Sequence, residues 1–375
     1  MQLPRFDIEH LFAQHEFTCE YNMTSSDVEG IALAELLEIA DSESRALWDT
    51  LTLGYAESPG HPLLRAQIAG QYDTANPEAV QVFSGGTEAA FALANVLLGP
   101  EDHVIVIGPA YQLLVDVPRA TGAAVTVVDL QPEDQWELDP DRVAAAIRPN
   151  TALIIANFPH NPTGSLPDLE RFEALVALAH DAGAHLLSDE IYRGLEMTED
   201  MLPAGVDLGE HVISLSAVSK VYGLAGARVG WVTSRDKQLM ADLLNYRYWT
   251  SLCTSAIGEI IALTALRAGS TLRRRAHDIV AANTVEAQKV IDSHDDLLQW
   301  APPRGGTTAF PRVLAGSAAE LSEWLVTEHG ILLAPSTVFP AAGEHLRIGL
   351  GRRNFPAGAR QLTAALTEWK THHLR

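Results

Sequence analysis

The chain has 375 residues, of which 47% are hydrophobic and 20% charged, and its formal net charge is −22. Single cores rarely grow beyond about 250–300 residues, so we expect two domains. The charge argues against a nucleic-acid partner, which needs clustered Lys and Arg, and no apolar run approaches the roughly 20 residues of a membrane span.

The N-terminal sequence MQLPRFDIEHLF lacks the charged-then-apolar pattern of a secretion signal. Cys19 and Cys253 are the two cysteines, and they are far apart in sequence. We therefore expect a cytoplasmic protein without disulfides, and we predict no metal site.

The middle of the chain alternates short β-branched runs with longer helical patterns, which predicts a parallel sheet covered by helices. Several runs are apolar at consecutive positions, as in strands buried on both faces. Strands are predicted at residues 103–108, 124–130, 151–158, 185–188, 211–217 and 227–234. Residues 167–183 begin with Pro, carry acids in the first turn and end in Gly, which predicts a crossover helix.

The two ends of the chain differ from this middle part. Residues 1–45 are irregular and helical, and the sequence after about residue 290 mixes strands, including 308–313 and 345–349, with helices. We expect residues 1–45 to form an N-terminal arm and part of a small domain, and residues 290–375 to complete that domain. Residues 46–289 then form the large domain.

The first motif that indicates chemistry is SGGTEA at residues 84–89. Its glycines let the backbone approach a ligand closely, and a following helix start would offer free N–H groups to an anion. The motif is therefore a candidate phosphate cradle. A Gly-Gly turn followed by Thr is also a common way to begin any helix, so both interpretations stay open.

Two further motifs follow predicted strands. NFPHNPTG at residues 157–164 places Asn side chains where ligands of open α/β sheets gather, although its turn residues alone predict only a loop. SDEIY at residues 188–192 places Asp189 at another strand end, where a buried acid needs a cation or hydrogen-bond donors. A helix N-cap at Asp189 is the alternative.

The fourth motif is SAVSKVYGLAGARVGW at residues 216–231. Lys220 follows a predicted strand and sits among small residues, unlike a surface lysine in a polar, helix-forming neighbourhood. An environment that lowers the pKa of a lysine suits it to form a Schiff base with an aldehyde.

In this order and spacing, the four motifs resemble those of the fold-type I pyridoxal phosphate (PLP) enzymes, in the class I/II aminotransferase family. The resemblance covers nearly the whole chain. It implies an α/β fold in which a large domain, with a mainly parallel seven-stranded sheet between helices, is joined to a smaller α/β domain. It also implies an enzyme that acts on the α-amino group of an amino acid.

The resemblance assigns roles to individual residues. Lys220 matches the Schiff-base lysine, which then removes the α-proton, and Asp189 matches the acid that keeps the pyridine nitrogen protonated. Tyr192 and Asn161 match residues at the cofactor's phenolic oxygen, and Tyr111 matches a ring on the pyridine face, with a core tyrosine as the alternative. The implied phosphate-binding residues are Gly86, Thr87, Ser219 and Arg228.

Two matches reach beyond the cofactor. Tyr55 matches a tyrosine that contacts the phosphate of a neighbouring subunit, which implies a homodimer. Arg347 matches the arginine that binds the substrate α-carboxylate, with a structural salt bridge as the alternative. The chain departs from many relatives at Ala217, where they carry a hydroxyl residue. Either the phosphate loses one hydrogen bond or Ser216 supplies it from a shifted backbone.

Other segments are similar to PLP-dependent cyclases of the capreomycidine synthase type, which act on arginine-derived amino acids in natural-product biosynthesis. These segments are residues 24–26, 157–162, 303–311 and 329–335. Two reactions therefore stay open: transamination, and closure of a hydroxylated arginine derivative into a cyclic guanidino amino acid.

An acid that binds a guanidinium group would favour the second reaction. Asp27, Glu29 and Glu57 are candidates, with solvated surface acids as the alternative on a chain that has 48 Asp and Glu residues.

Two other protein classes fit the sequence less well. A transcriptional regulator derived from this fold would add a basic DNA-binding module, for which this acidic chain has no room. A nucleotide-binding Rossmann enzyme would carry G-x-G-x-x-G after its first strand, which this chain lacks.

Overall fold

The computed structural model describes residues 2–198, 201–339 and 343–373. The first part of the chain is irregular with short helices, as the sequence predicts. Its elements are α1 (Asp7–His15), β1 (Tyr21–Asn22), α2 (Leu33–Glu38), α3 (Ser42–Asp49) and α4 (Pro62–Ala69).

The middle part alternates strands and helices, which confirms the predicted pattern. Its elements are β2 (Val80–Phe83), α5 (Gly86–Leu97), β3 (His103–Gly108), α6 (Gln112–Ala120), β4 (Ala124–Asp129), α7 (Pro140–Ala146), β5 (Thr151–Asn157), α8 (Leu169–Asp181), β6 (His185–Asp189), α9 (Gly205–Leu208), β7 (Val212–Ala217) and β8 (Gly230–Thr233). Helix α8 begins where the side chain of Asp168 accepts a hydrogen bond from the Arg171 N–H at 2.8 Å.

The last part combines long helices with very short strands. Its elements are α10 (Lys237–Tyr248), α11 (Ala256–Arg267), α12 (Gly269–Ser293), β9 (Leu298–Gln299), β10 (Thr308–Ala309), β11 (Arg312–Val313), α13 (Ala318–His329), β12 (Ile331–Leu332), β13 (Ala334–Pro335), β14 (Leu346–Gly349) and α14 (Phe355–His373). Short 3-10 helices lie at Pro77–Ala79, Pro132–Asp134, Ala225–Ala227 and Ser336–Val338.

Within the described residues, a seven-stranded sheet in the order β2-β8-β7-β6-β5-β3-β4 organises the molecule. β8 pairs antiparallel with both of its neighbours, and the other neighbouring pairs are parallel. This mainly parallel sheet between helices confirms the predicted α/β fold.

Side chains along the sheet alternate between two apolar clusters. In β3, Val104 and Val106 belong to one cluster, whereas Ile105 and Ile107 belong to another. Successive side chains of a strand point to opposite faces, so both faces of this strand are buried. The consecutive apolar residues of the sequence have this physical cause.

The sheet brings the predicted motifs to one edge. Asn157 and Asp189 end β5 and β6 and are register partners. Lys220 follows the end of β7, and Gly86 follows β2, which runs in the same direction as β7 because β8 is antiparallel to both. Arg228 precedes β8, so it also lies at this edge.

The N-terminal segment connects this edge to the C-terminal strands. β1 pairs parallel with β12, and β14 lies between β10 and β13. The Val28 N–H donates to the Lys220 carbonyl at 3.3 Å, and the Glu29 N–H donates to the Gly351 carbonyl at 2.9 Å. The division into two domains stays a proposal, which these pairings support.

Two predicted strands are shorter than expected. The strand predicted at 227–234 begins at Gly230, because residues 225–227 form a 3-10 turn and Arg228 has a left-handed φ of 52°. The strand predicted at 308–313 is divided into β10 and β11, which pair with different partners. Pro311 lies at the break and has no N–H to continue a ladder.

The alternative N-cap at Asp189 is also wrong. Residues 191–194 form a turn instead of a helix, and the Asp189 Oδ1 accepts a hydrogen bond from the Ile191 N–H at 3.2 Å. By contrast, the SGGTEA motif does begin a helix, α5, and Gly85 before it has a φ of 97° that favours glycine.

The helices of the described residues include none that is both long and apolar enough to cross a membrane.

The sheet's stability is expected to depend on Leu186, which is fully buried in the strand that carries Asp189. Leu186→Ala should lower the free energy of unfolding by about 2–5 kcal/mol, because it leaves a cavity in a packed core. The matched control, Leu169→Ala on α8, removes a side chain that is 48% exposed and should cost about 0.5 kcal/mol or less. Urea unfolding measures both, and equal losses would contradict the described packing.

Candidate active site

A cavity of about 590 Å³ opens at the edge of the sheet where these motifs meet. Eleven of the predicted site residues line it, from Asp27 to Arg347. They are Asp27, Gly86, Thr87, Tyr111, Asn161, Asp189, Tyr192, Ser219, Lys220, Arg228 and Arg347. The fold therefore collects in one cavity residues that are distributed over most of the chain.

Lys220 is the lysine of this cavity. The chain has four lysines, and the other three lie on the surface. Lys289 and Lys370 form ion pairs with Glu286 and Asp296, and Lys237 is exposed at the start of α10. The Nζ of Lys220 donates to the Ser26 Oγ at 2.8 Å. Its amine is thus held inside the cavity by a neutral partner.

Asp189 is one of the residues that line the cavity, and it is only partly exposed. The pKa of its carboxyl is raised to about 7, mainly by burial and also by the charge of Glu190, against the opposing effects of the Ile191 N–H and Lys220. A buried carboxyl with a single backbone donor is poorly stabilised as an anion. A cationic N–H group placed beside it would favour the ionised form.

A hydrogen-bonded pair of asparagines connects Asp189 to Arg347. The Asn157 Nδ2 donates to the Asp189 carbonyl at 2.9 Å, and its Oδ1 accepts from the Asn161 N–H at 2.9 Å. The Asn161 Oδ1 in turn accepts from the Nη1 of Arg347 at 3.2 Å. Tyr192, which is 2% exposed, lies beside these groups in the lining.

Arg347 is a buried guanidinium with unused donors. It is 1% exposed, and its Nε and Nη2 have no hydrogen-bond partner among the described residues. Burial lowers its pKa to about 10, and its Cζ lies 5.2 Å and 5.9 Å from the ring centres of Phe339 and Phe12. The predicted alternative of a structural salt bridge does not describe it, because no carboxylate of the described residues pairs with it.

One wall of the cavity is aromatic. Tyr111 follows β3 and donates from its OH to the Glu9 Oε1 at 2.9 Å, and its ring lies 5.3 Å from that of Phe6. Burial, followed by the charge of Glu9, raises the pKa of the Tyr111 hydroxyl. The neutral ring can therefore serve as a flat face for a ligand.

The opposite wall offers groups that suit a phosphate. Gly86 and Thr87 form the first turn of α5, where backbone N–H groups lack helical partners. Arg228 approaches so closely that a Cβ on Gly85 would lie 2.6 Å from its Nη2. A glycine is required there because both the φ of Gly85 and this contact exclude a side chain.

Ser216 does not replace the hydroxyl that is missing at Ala217. The two residues are neighbours in β7, so their side chains point to opposite faces of the sheet. The Ser216 Oγ donates to the Glu190 carbonyl at 3.3 Å and lines a separate cavity.

Three predicted site residues lie outside this lining. Glu29 contacts Arg353 through its carboxylate, which accepts from the Arg353 N–H at 2.9 Å. Glu57 is in the loop before α4, and Tyr55 is 89% exposed beside a second cavity that Cys253 and Ile257 also line.

Other lining residues were not predicted. Helix α1 supplies Glu9 and Phe12, its C-cap residue is Glu16, and the loop after β1 supplies Ser26. The sequence identifies the N-terminal segment as an arm, but no local pattern indicates that its helix covers this cavity.

The model of the family "Aminotransferase class I and II" matches residues 21–354. The chain belongs to this family. It is an enzyme of the family, and its cofactor is pyridoxal phosphate. The residues of the cavity fit that cofactor: a lysine amine, a buried carboxyl that lacks a cation, an aromatic face and a phosphate cradle.

Relatives within the family catalyse different reactions. The chain is 31% identical to capreomycidine synthase of Streptomyces vinaceus, over 99% of this chain and 95% of that protein. It is 30% identical to an arginine–pyruvate transaminase of Pseudomonas aeruginosa, over 82% and 81% of the two chains.

Two solved structures agree with the whole fold. A PLP-dependent aminotransferase from Streptococcus suis superimposes with a TM-score of 0.91 at 28% identity, covering 99% of this chain and 98% of that one. The PLP-dependent cyclase OrfR superimposes with a TM-score of 0.90 at 29% identity, covering 98% of both chains. Family membership therefore leaves the specific reaction undetermined.

The raised pKa of Asp189 predicts a pH-dependent effect on stability. In the cofactor-free protein this pKa of about 7 lies above that of an unfolded Asp, about 3.9. Between these values the folded protein binds more protons than the unfolded chain, so Asp189 makes stability fall as pH rises. Asp189→Asn keeps the acceptor for Ile191 but cannot ionise.

We expect the cofactor-free Asp189→Asn variant to gain melting temperature relative to wild type between about pH 5 and about pH 8. Asp181→Asn, at a side chain that is 80% exposed, should show no such trend. Saturating PLP should cancel the gain, because the ring nitrogen supplies the missing cation. A difference that is independent of pH would contradict the assignment of Asp189.

Proposed function

We propose that this enzyme binds an α-amino acid through its α-carboxylate at Arg347 and uses Lys220 as the base that removes the α-proton. The observation that carries the proposal is Arg347, a buried guanidinium whose Nε and Nη2 lack partners in the described residues. Leaving such donors buried and unpaired is costly, and a carboxylate can accept from two of them at once. The same cavity contains Lys220 and Asp189.

The chain's own residues have separable roles in this proposal. Pyridoxal phosphate, when bound, supplies an electron sink for the negative charge that develops at the α-carbon. Asp189 holds a proton on the ring nitrogen, and the first turn of α5 with Arg228 binds the phosphate. Lys220 would hold the cofactor covalently, and its amine is the group that would accept the α-proton. Tyr111 excludes water from one face.

The second candidate function is cyclisation of a hydroxylated arginine derivative, as an enzyme of the capreomycidine synthase type. It is supported by 31% identity over 99% of this chain and by the likeness to the cyclase OrfR. It shares the binding of the carboxylate and the removal of the α-proton with transamination. A side-chain leaving group then departs, and a guanidine nitrogen attacks in its place.

We also propose a homodimer in which Tyr55 reaches the neighbouring active site. Leu53 and Tyr55 are 82% and 89% exposed, and Ile257, which lines the same surface cavity, is 40% exposed. Exposed apolar side chains grouped in this way are typical of an interaction surface. A cytoplasmic location is consistent with the free thiols of Cys19 and Cys253.

The product of the reaction decides between the two candidate functions. The holoenzyme is mixed with amino acids that include arginine and hydroxylated arginines, with and without a keto-acid acceptor, and product masses are measured. We expect a new product that requires Lys220. Loss of water with every nitrogen retained, independent of acceptor, would establish a cyclase. A carbonyl in place of the amine would establish an aminotransferase, and no product from any amino acid would contradict the proposal.

Arg347→Gln tests the carboxylate site. A hydrogen bond to a charged group contributes about 1.5–3 kcal/mol, so the substrate concentration for half-saturation should rise about 10- to 100-fold. Arg312→Gln, on neighbouring β11, removes a half-exposed guanidinium outside the cavity and should leave half-saturation unchanged. Cofactor content, measured by absorbance, should be the same in both variants. Unchanged half-saturation in Arg347→Gln would rule out this role.

A further inference from the structure

Helix α1 and its C-cap residue Glu16, which keeps helical backbone angles, present one acidic face to the active-site cavity. Glu9, Phe12 and Glu16 follow each other at spacings of three and four residues, and all three line the cavity. Residues at these spacings lie on the same side of a helix. The face therefore places a carboxylate on either side of an aromatic ring along the cavity lining.

Three carboxylates of the N-terminal segment line the cavity, those of Glu9, Glu16 and Asp27, and they differ in their partners. The Oε1 of Glu9 accepts from the Tyr111 OH, and Asp27 pairs with the Nη2 of Arg352 at 2.9 Å. The carboxylate of Glu16 makes no hydrogen bond or ion pair with any other residue that the structure describes. Burial, followed by the charge of Asp27, raises the pKa of Glu16. Glu16 is thus the carboxylate on this side of the cavity that is left without a hydrogen-bond or ion-pair partner among the described residues.

Arg347 gives independent evidence for a ligand in the same cavity. Its unpartnered nitrogens fix where an α-carboxylate would bind, and its Cζ lies 5.9 Å from the ring centre of Phe12. A substrate held by Arg347 with its α-carbon near Lys220 therefore has its side chain close to helix α1. The carboxylates of Glu9 and Glu16 line the cavity there.

We propose that Glu16, with Glu9 beside it, binds the cationic end of the substrate's side chain and selects a guanidinium group. The proposal rests on the function proposed above. A guanidinium is planar, matches a carboxylate with paired donors and stacks on aromatic rings, so the Glu9-Phe12-Glu16 face suits it. Glu29 and Glu57, which the sequence also suggested for this role, do not line the cavity in the described structure.

Arginine and citrulline provide the test, because citrulline replaces the guanidinium with a neutral urea of nearly the same shape. Each is titrated into the holoenzyme, and the dissociation constant is taken from the change in cofactor absorbance. Wild type should bind arginine at least about 10-fold more tightly than citrulline, and Glu16→Gln should remove most of that preference. Its affinity for citrulline should stay within about twofold of wild type.

Two further variants control the comparison. Glu20→Gln changes an exposed acid four residues along the chain and outside the cavity, so it should keep the preference for arginine. Glu16→Asp keeps the charge and should retain part of it. If wild type bound arginine and citrulline with equal affinity, the subsite would be wrong while the proposed function could still hold. The same conclusion would follow if Glu16→Gln lost affinity for both amino acids to the same extent. No absorbance change with either amino acid would contradict the proposed function itself.

Discussion

The parallel register of β5 and β6 is the constraint on which the site depends. It aligns Asn157 with Asp189 at the same edge of the sheet, and the loops after β2 and β7 add the phosphate cradle and Lys220 there. Because both faces of the sheet are buried, a shift of one residue would exchange the two apolar clusters. Core packing therefore fixes the positions of cavity residues that make few contacts with each other.

The cavity contains charges that the folded chain does not neutralise. Among the described residues, Asp189 lacks a cation and Arg347 lacks an anion, and both are buried. Buried charges of this kind lower stability unless a ligand pairs with them. A cofactor with a protonated ring nitrogen and an amino acid with a carboxylate provide the opposite charges. Binding of the cofactor and of the amino acid therefore offsets the electrostatic destabilisation that these charges cause.

The sequence predicted the sheet well, because burial on both faces leaves local patterns, and it identified the strand-end motifs that meet at the cavity. It missed the break at Pro311 and the late start of β8, which follow from tertiary pairing and from the left-handed Arg228. It also could not assign Glu9 and Glu16, since the position of α1 over the cavity depends on contacts distant in sequence. Glu29 was suggested because the family resemblance brings its segment to the pocket, but its carboxylate contacts Arg353.

The central claim, that Lys220 holds the cofactor inside this cavity, can be tested by borohydride reduction of the holoenzyme followed by peptide mass mapping. The account predicts that the cofactor's mass is attached to the peptide that contains Lys220, and that Lys220→Ala carries none while remaining folded. Attachment at Lys237, Lys289 or Lys370, or no attachment at all in a coloured holoenzyme, would contradict it.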